Sequence, residues 1–201
     1  MLDELLNLAP WPPRGAQQNV ATADFICRPM KFPGVLTAPE CTSIVGLGER
    51  GPAVTAGLVR PVEGYRRGVT KLVPLTPDSK WLYERMRTLL VQVNQWYRYD
   101  ITTMVESLLY CEYGENGQFD WHVDCGESPT STRKISLSIQ ISSPLDYDGG
   151  GLEFAHHGEL KESRRIGTAI AFPAFLHHRV APVTRGIRRS LVAWAHGPVF
   201  R

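Results

Sequence analysis

No apolar run in the 201-residue chain approaches the roughly 20 residues that a membrane-spanning helix needs. Cysteine is scarce: Cys27, Cys41, Cys111 and Cys125 stand far apart and form no CxxC pair. That spacing excludes a zinc ribbon, and the density is too low for a disulfide-stapled secreted domain, so free thiols in a reducing compartment are expected. Excess charge of one sign is also missing. With 22 basic and 20 acidic residues the net charge is +2, and nothing in that balance calls for nucleic acid or an anionic membrane as a partner. The opening "MLDELLNLAPWPPRG" carries acids early and lacks the basic start and apolar core of a signal peptide, so a cytoplasmic location is expected. Internal repeats and low-complexity tracts are absent too. The length suits one domain with a sizeable core, and the expectation is a single domain over 1–201, with a helical, variable front part (1–100) and a core (101–201).

What is present is a texture of short apolar runs broken by 18 glycines and 15 prolines, which implies many turns and many strands. The first 35 or so residues, with Pro10, Pro12, Pro13, Pro29 and Pro33, read as an irregular lead-in. In "TAPECTSIVGLGER", Thr37 and Glu40 have capping-box spacing and predict a helix to about Glu49. Short β segments follow around "AVTAGLVR" and "YRRGVTKLVPL", where Arg66 and Arg67 could bind an acidic substrate group but read more readily as a solvated edge strand. Thr76 and Pro77 start a longer helix. Its residues Leu82, Met86, Leu89, Leu90, Val93 and Trp96 recur at helical spacing and form an apolar face for a core. From Thr102 onward the runs are strand-like: "MVESLLYCEY", "KISLSIQIS", "GLEFAHH", "GTAIAFP", "LHHRVAPV" and "RRSLVAWAH". "KISLSIQIS" alternates strictly, with Ile135, Leu137, Ile139 and Ile141 on one face and Ser136, Ser138, Gln140 and Ser142 on the other. Such a strand can line a wet cavity with its polar side. Helices followed by a run of antiparallel strands argue for an α+β fold with a β-sandwich or jelly-roll core.

Chemistry concentrates in "QFDWHVDCG". His122 and Asp124 are two apart, so on a strand they point the same way, about 7 Å apart at Cα. A third ligand must come from His156, His157, His177, His178 or His196. Two histidines and one carboxylate leave three positions of an octahedral metal open, the pattern of non-haem Fe(II) oxygenases, whereas a structural zinc site closes its sphere. By themselves these residues do not say which histidine is third; His177 and His178 face opposite sides of any strand that holds them.

The order "YGENGQFDWHVD", then "RKISLSIQISSPLDYDGGGLEF", then "GTAIAFPAFLHHRVAPVTRGIRRSLVAWAHGPVFR" resembles the 2-oxoglutarate- and Fe(II)-dependent oxygenases of the prolyl 4-hydroxylase-like family, over roughly the last 100 residues. The resemblance implies a double-stranded β-helix (jelly-roll) core with N-terminal supporting helices. It makes His122, Asp124 and His178 the iron ligands, because "HRVAPV" fits the family's distal motif when it starts at His178. Arg188, ten residues on, matches the residue that grips the distal carboxylate of 2-oxoglutarate, as a fixed fork of donors can. Tyr113 and Gln140 match positions that line the co-substrate pocket. The glycines of "DYDGGGLEF" fit a structural turn, and Arg189 is expected at the solvated surface. The implied cofactors are Fe(II), 2-oxoglutarate and O2, with ascorbate as a reductant. The implied reaction hydroxylates an unactivated C–H bond of a prolyl or other amino-acid residue in a peptide or protein and releases succinate and CO2. Asp124 argues against the related halogenases, which replace that carboxylate with a small residue. Other readings are the same chemistry on a free amino acid or small metabolite, and, from a different class, a non-catalytic cupin-like metal-binding module.

Overall fold

Thr37 caps the first helix as its spacing predicts. The amide of Glu40 donates to Thr37 Oγ1 at 3.3 Å, and the Thr37 amide donates back to the Glu40 carboxylate at 2.7 Å. The computed structural model describes residues 27–54 and 64–200. Most of the expected lead-in and of the β segment around "AVTAGLVR" lies outside the described residues; Ala53, at its start, forms an isolated antiparallel bridge with Lys71. In chain order the elements are β1 (Met30–Phe32), α1 (Ala38–Arg50), β2 (Arg66–Arg67), β3 (Val69–Val73), α2 (Lys80–Tyr97), β4 (Leu108–Tyr113), β5 (Gln118–His122), β6 (Arg133–Gln140), β7 (Tyr147–Gly149), β8 (Leu152–Phe154), β9 (Gly158–Glu159), β10 (Ala169–Pro173), β11 (His178–Val180), β12 (Val183–Gly186) and β13 (Arg188–His196).

The second helix starts later than Thr76. Ser79 Oγ donates to the Pro74 carbonyl at 2.6 Å and accepts from the Thr76 amide at 2.9 Å, which ties 74–79 into a turn and leaves Lys80 as the first helical residue. Leu82, Met86, Leu89, Leu90 and Val93 are buried as expected, but Trp96 is 52% exposed. Beyond Val93 the stripe can continue at i+3 or i+4, and Tyr97 takes the buried slot. Its hydroxyl lies 2.6 Å from the Arg28 carbonyl and 2.9 Å from that of Ala171, so its polar end is satisfied.

Among the described residues all strand pairings are antiparallel. A six-stranded sheet runs β1-β10-β6-β13-β4-β3 and a five-stranded sheet runs β2-β5-β11-β8-β9, with β12 and β7 paired separately. The larger sheet sorts its residues by parity. Ile135, Leu137, Ile139, Leu191, Ala193 and Ala195 pack with both helices into the main core. The opposite face, carrying Ser136, Ser138, Ser190 and Trp194, turns toward the smaller sheet. "DYDGGG" forms the expected turn: Gly149 has φ +71°, and a Cβ there would lie 2.3 Å from the Pro182 carbonyl.

Candidate metal centre

Between the two sheets is a cleft of about 840 Å³, and β5 and β11 deliver the histidines to its floor. His122 ends β5 and His178 begins β11, and the two are Cα partners in that ladder. Asp124 does not share a strand with His122, contrary to expectation. The strand stops at His122, and the amides of Asp124 and Cys125 instead donate to the Ala174 carbonyl at 2.8 and 3.0 Å. The turned backbone still swings the carboxylate between the rings. Asp124 Oδ1 lies 3.7 Å from His122 Nε2, and Oδ2 lies 3.7 Å from His178 Nε2. One ligand atom from each residue falls within 4.8 Å of the others, close enough for one cation to reach all three.

Each ring is locked by its far nitrogen. His122 Nδ1 is 2.7 Å from the Asp120 carbonyl and His178 Nδ1 is 2.8 Å from the Leu176 carbonyl. A carbonyl accepts only from N–H, so both Nε2 atoms keep a free lone pair aimed at the centre, the usual support for metal-ligating histidine. Phe119 stacks on His122 at 3.6 Å between centroids, and Phe172 meets His178 edge-on at 4.5 Å. Ser136 Oγ donates to Asp124 Oδ2 at 2.6 Å. Burial, and then the neighbouring His178, push His122 down to about 4, which leaves the ring neutral. Burial alone would raise Asp124, but the two histidines, the Ser136 hydroxyl and Arg133 together hold it below the ordinary carboxylate value. Asp124 is therefore held as a carboxylate beside the two inward Nε2 atoms, and among the described residues no cysteine joins the set. That fits an open iron site better than a closed zinc one.

The other histidines separate cleanly. His177 is exposed, and His156 and His157 sit in the exposed turn between β8 and β9. His196 is buried as a brace: its Nδ1 is 2.9 Å from Thr132 Oγ1 and its Nε2 is 3.0 Å from Glu106 Oε1. Glu106 also accepts from Arg133 Nε at 2.6 Å, and Arg133 in turn lies 3.7 Å over the Trp194 ring. Burial opposes ionisation of Glu106, yet the His196 and Arg133 contacts outweigh it and bring its carboxyl to about 2. This network on the cleft wall has no local sequence signature, because its members are far apart in the chain.

Arg188 is buried at the start of β13, opposite Tyr113 in register, and donates to Ser190 Oγ at 3.3 Å. Tyr113 and Ser190 line the cleft; Arg188 lies just behind them, with its Cζ 5.9 Å from the Tyr113 ring. Gln140 lies opposite Ser190, but its amide donates to the Ser142 carbonyl at 3.2 Å and is not on the cleft wall. Two arginines differ from expectation. Arg189 is not simply solvated: it donates to Glu112 at 2.7 Å and to Tyr110 Oη at 3.0 Å across β4. Arg66 is not a solvated edge residue either. Its side chain crosses the cleft from β2 to β4, with Nη2 3.3 Å from Tyr113 Oη and 3.3 Å from Cys111 Sγ, while Arg67 stays exposed.

Residues 108–196 match the family model of the 2OG-Fe(II) oxygenase superfamily. A PKHD-type hydroxylase of Picosynechococcus is 32% identical over 127 residues, 62% of this chain and 57% of that protein. The chain thus spans little more than half the length of this relative. A Pseudomonas putida prolyl-4-hydroxylase structure superposes with TM-score 0.66 at 16% identity, covering 88% of this chain and 99% of that one. A Trichoplax adhaerens prolyl hydroxylase, solved with a hypoxia inducible factor peptide fragment, gives TM-score 0.67 at 14% identity, covering 84% and 83%. At such identity the two structures speak for the fold: two antiparallel sheets in a double-stranded β-helix with helices ahead of them. The segment that matches the 2OG-Fe(II) oxygenase superfamily, residues 108–196, carries all three ligands and Arg188 on these strands.

Proposed function

We propose that the protein is a 2-oxoglutarate- and Fe(II)-dependent dioxygenase that hydroxylates a C–H bond of a prolyl or other amino-acid residue in a peptide or protein. The observation that carries this reading is the inward pair of Nε2 atoms, each fixed by a backbone carbonyl at Nδ1, on either side of the Asp124 carboxylate. His122, Asp124 and His178 would hold the iron on one face and leave the remaining positions open. With Fe(II) and 2-oxoglutarate bound, the centre would use dioxygen as oxidant, one oxygen atom going to the hydroxylated product and the other to succinate, with release of CO2. The chain supplies the rest. Ser136 fixes the carboxylate, and the two carbonyls set the tautomers. Arg188, behind Tyr113 and Ser190, offers a charged fork to the distal carboxylate of the keto acid. The phenyl rings of Phe119 and Phe172 keep water from the ligand histidines. The peptide relatives support an amino-acid residue as substrate.

A metal-binding module without turnover has no use for a buried guanidinium that no carboxylate meets among the described residues, and Arg188 is one. The test is anaerobic addition of Fe(II) and 2-oxoglutarate to the apo-protein, with the visible charge-transfer absorption as readout. A band needing both components is expected. It should vanish in His178→Ala and need about 30-fold or more extra 2-oxoglutarate in Arg188→Ala. Tight metal binding with no band at any keto-acid concentration would overturn the reading in favour of the binding module.

A further inference from the structure

The cleft wall carries an arginine, Arg66, that the proposed chemistry leaves unused. Arg66 opens the two-residue strand β2, paired with Phe119 on β5, and its guanidinium lies 4.4 Å over the Phe119 ring. Nη2 reaches Tyr113 Oη and Cys111 Sγ, both neutral groups. Its Nε is buried without a hydrogen-bond partner. Among the described residues no carboxylate pairs with it. The other arginine on the cleft wall, Arg133, is neutralised by Glu106, and Arg179 and Arg189 have Glu153 and Glu112. A cation held away from water with an unfilled donor is costly, so a site that keeps one is prepared for an anion.

That anion is not the co-substrate. A divalent iron, the Asp124 carboxylate, the two carboxylates of 2-oxoglutarate and the Arg188 guanidinium cancel to zero with both histidines neutral. Arg66 is not part of that balance, and beyond Asp124 and the Glu106 that Arg133 engages, the other carboxylate lining the cleft is the exposed Glu127, which does not pair with it. Position agrees with charge. Arg188 is buried behind the wall, whereas Arg66 lines the cleft itself.

We infer that Arg66 is a specificity residue that receives a carboxylate of the substrate, so the molecule modified here is an acid rather than a neutral prolyl segment. This rests on the dioxygenase reading and narrows its substrate class. The carboxylate has two sources, the α-carboxylate of a small or C-terminal residue and the side chain of a neighbouring Asp or Glu in a peptide. Arginine suits either, since its fork takes a carboxylate through two parallel bonds.

The experiment uses the protein loaded anaerobically with Fe(II) and 2-oxoglutarate, whose absorption band first confirms the site; a missing band is a failure of the dioxygenase reading and not of this one. Two matched pairs are then titrated, with calorimetry and the perturbation of the band as readouts: N-acetylproline against N-acetylprolinamide, and a prolyl peptide with an adjacent Glu against the same peptide with Gln. In at least one pair the acid should bind about 10-fold or more tightly than its amide. The preference should fall to within about twofold in Arg66→Gln and persist in part in Arg66→Lys, which keeps the charge and loses the fork. Which pair discriminates identifies the source of the carboxylate. Equal or absent binding of acid and amide in both pairs overturns the inference. So does a preference that survives Arg66→Gln, and so does a loss of 2-oxoglutarate affinity in Arg66→Gln as large as that in Arg188→Ala, which would make Arg66 a co-substrate clamp.

Discussion

His122 and His178 are direct partners across the β5–β11 ladder, and their rings lie 4.1 Å apart. The register, not either strand alone, builds the metal centre: a one-residue slip of β11 would send His178 outward and bring in the exposed His177. Replacing His178 or Asp124 by Ala should therefore abolish tight Fe(II) or Mn(II) binding, whereas His177→Ala should leave the dissociation constant within about twofold. Metal titration against a competing chelator reads both. Comparable losses for His177→Ala and His178→Ala would contradict the register described here.

Ser136 touches no metal position, yet its hydroxyl fixes Asp124 Oδ2 from the neighbouring sheet at 2.6 Å. Ser136→Ala should weaken metal binding by about 10-fold or more, the usual cost of removing a group that orients a ligand. Its thermal midpoint without metal should fall only slightly, because the variant introduces no clash and removes one hydroxyl. Unchanged metal affinity would show that Asp124 is positioned by its backbone bonds to Ala174 alone.

Glu106 gives the fold an acid-sensitive joint. Its carboxyl is near 2 in the folded state against an ordinary value of 4.5, so the folded protein binds that proton less readily than the unfolded chain. The stabilisation from this group is therefore complete above about pH 4.5 and is lost as the pH falls toward about 2. Glu106→Gln should destabilise the protein at neutral pH by about 2 kcal/mol, since Arg133 and His196 lose the charge and one of the two acceptor oxygens, with an amide donor in its place. It should also flatten the part of the acid limb that lies in that window. Urea denaturation at several pH values distinguishes this from a uniform loss, which would mean that other carboxylates set the acid response.

Features encoded by neighbours in the chain were legible in the sequence. The Thr37–Glu40 box, the alternation of β6 and the paired His122 and Asp124 each depend on residues at most a few positions apart. The identity of the third ligand was not local and came through motif order. What stayed hidden is what requires the third dimension. Glu106, Arg133 and His196 come from separate strands and loops, and no window spans them. Arg66 sits on a strand of two residues, too short to show a period, so nothing marked which of Arg66 and Arg67 turns inward. Trp96 and Tyr97 were equally good continuations of the α2 stripe until the carbonyls of Arg28 and Ala171 selected the residue with a hydroxyl.

Gly48 provides a test in which packing and helix propensity predict opposite signs. Alanine is the better helix former by about 1 kcal/mol, so propensity alone has Gly48→Ala stabilise α1. But α1 crosses β4 at this residue, and an added Cβ would lie 2.4 Å from Cγ and Cδ2 of Tyr110. The ring is buried and has little room to move, because its hydroxyl donates to Glu112 at 2.7 Å and accepts from Arg189 at 3.0 Å. The helix must then shift off the sheet, and the expected result is a net loss of about 1–3 kcal/mol. Gly46, two residues earlier, turns toward a different neighbour: a Cβ there meets only the flexible end of Arg50 at 3.4 Å. Gly46→Ala should thus gain up to about 1 kcal/mol. Denaturation midpoints that move in opposite directions for the two variants would establish that α1 seats on Tyr110; a shared sign would place the helix elsewhere on the sheet.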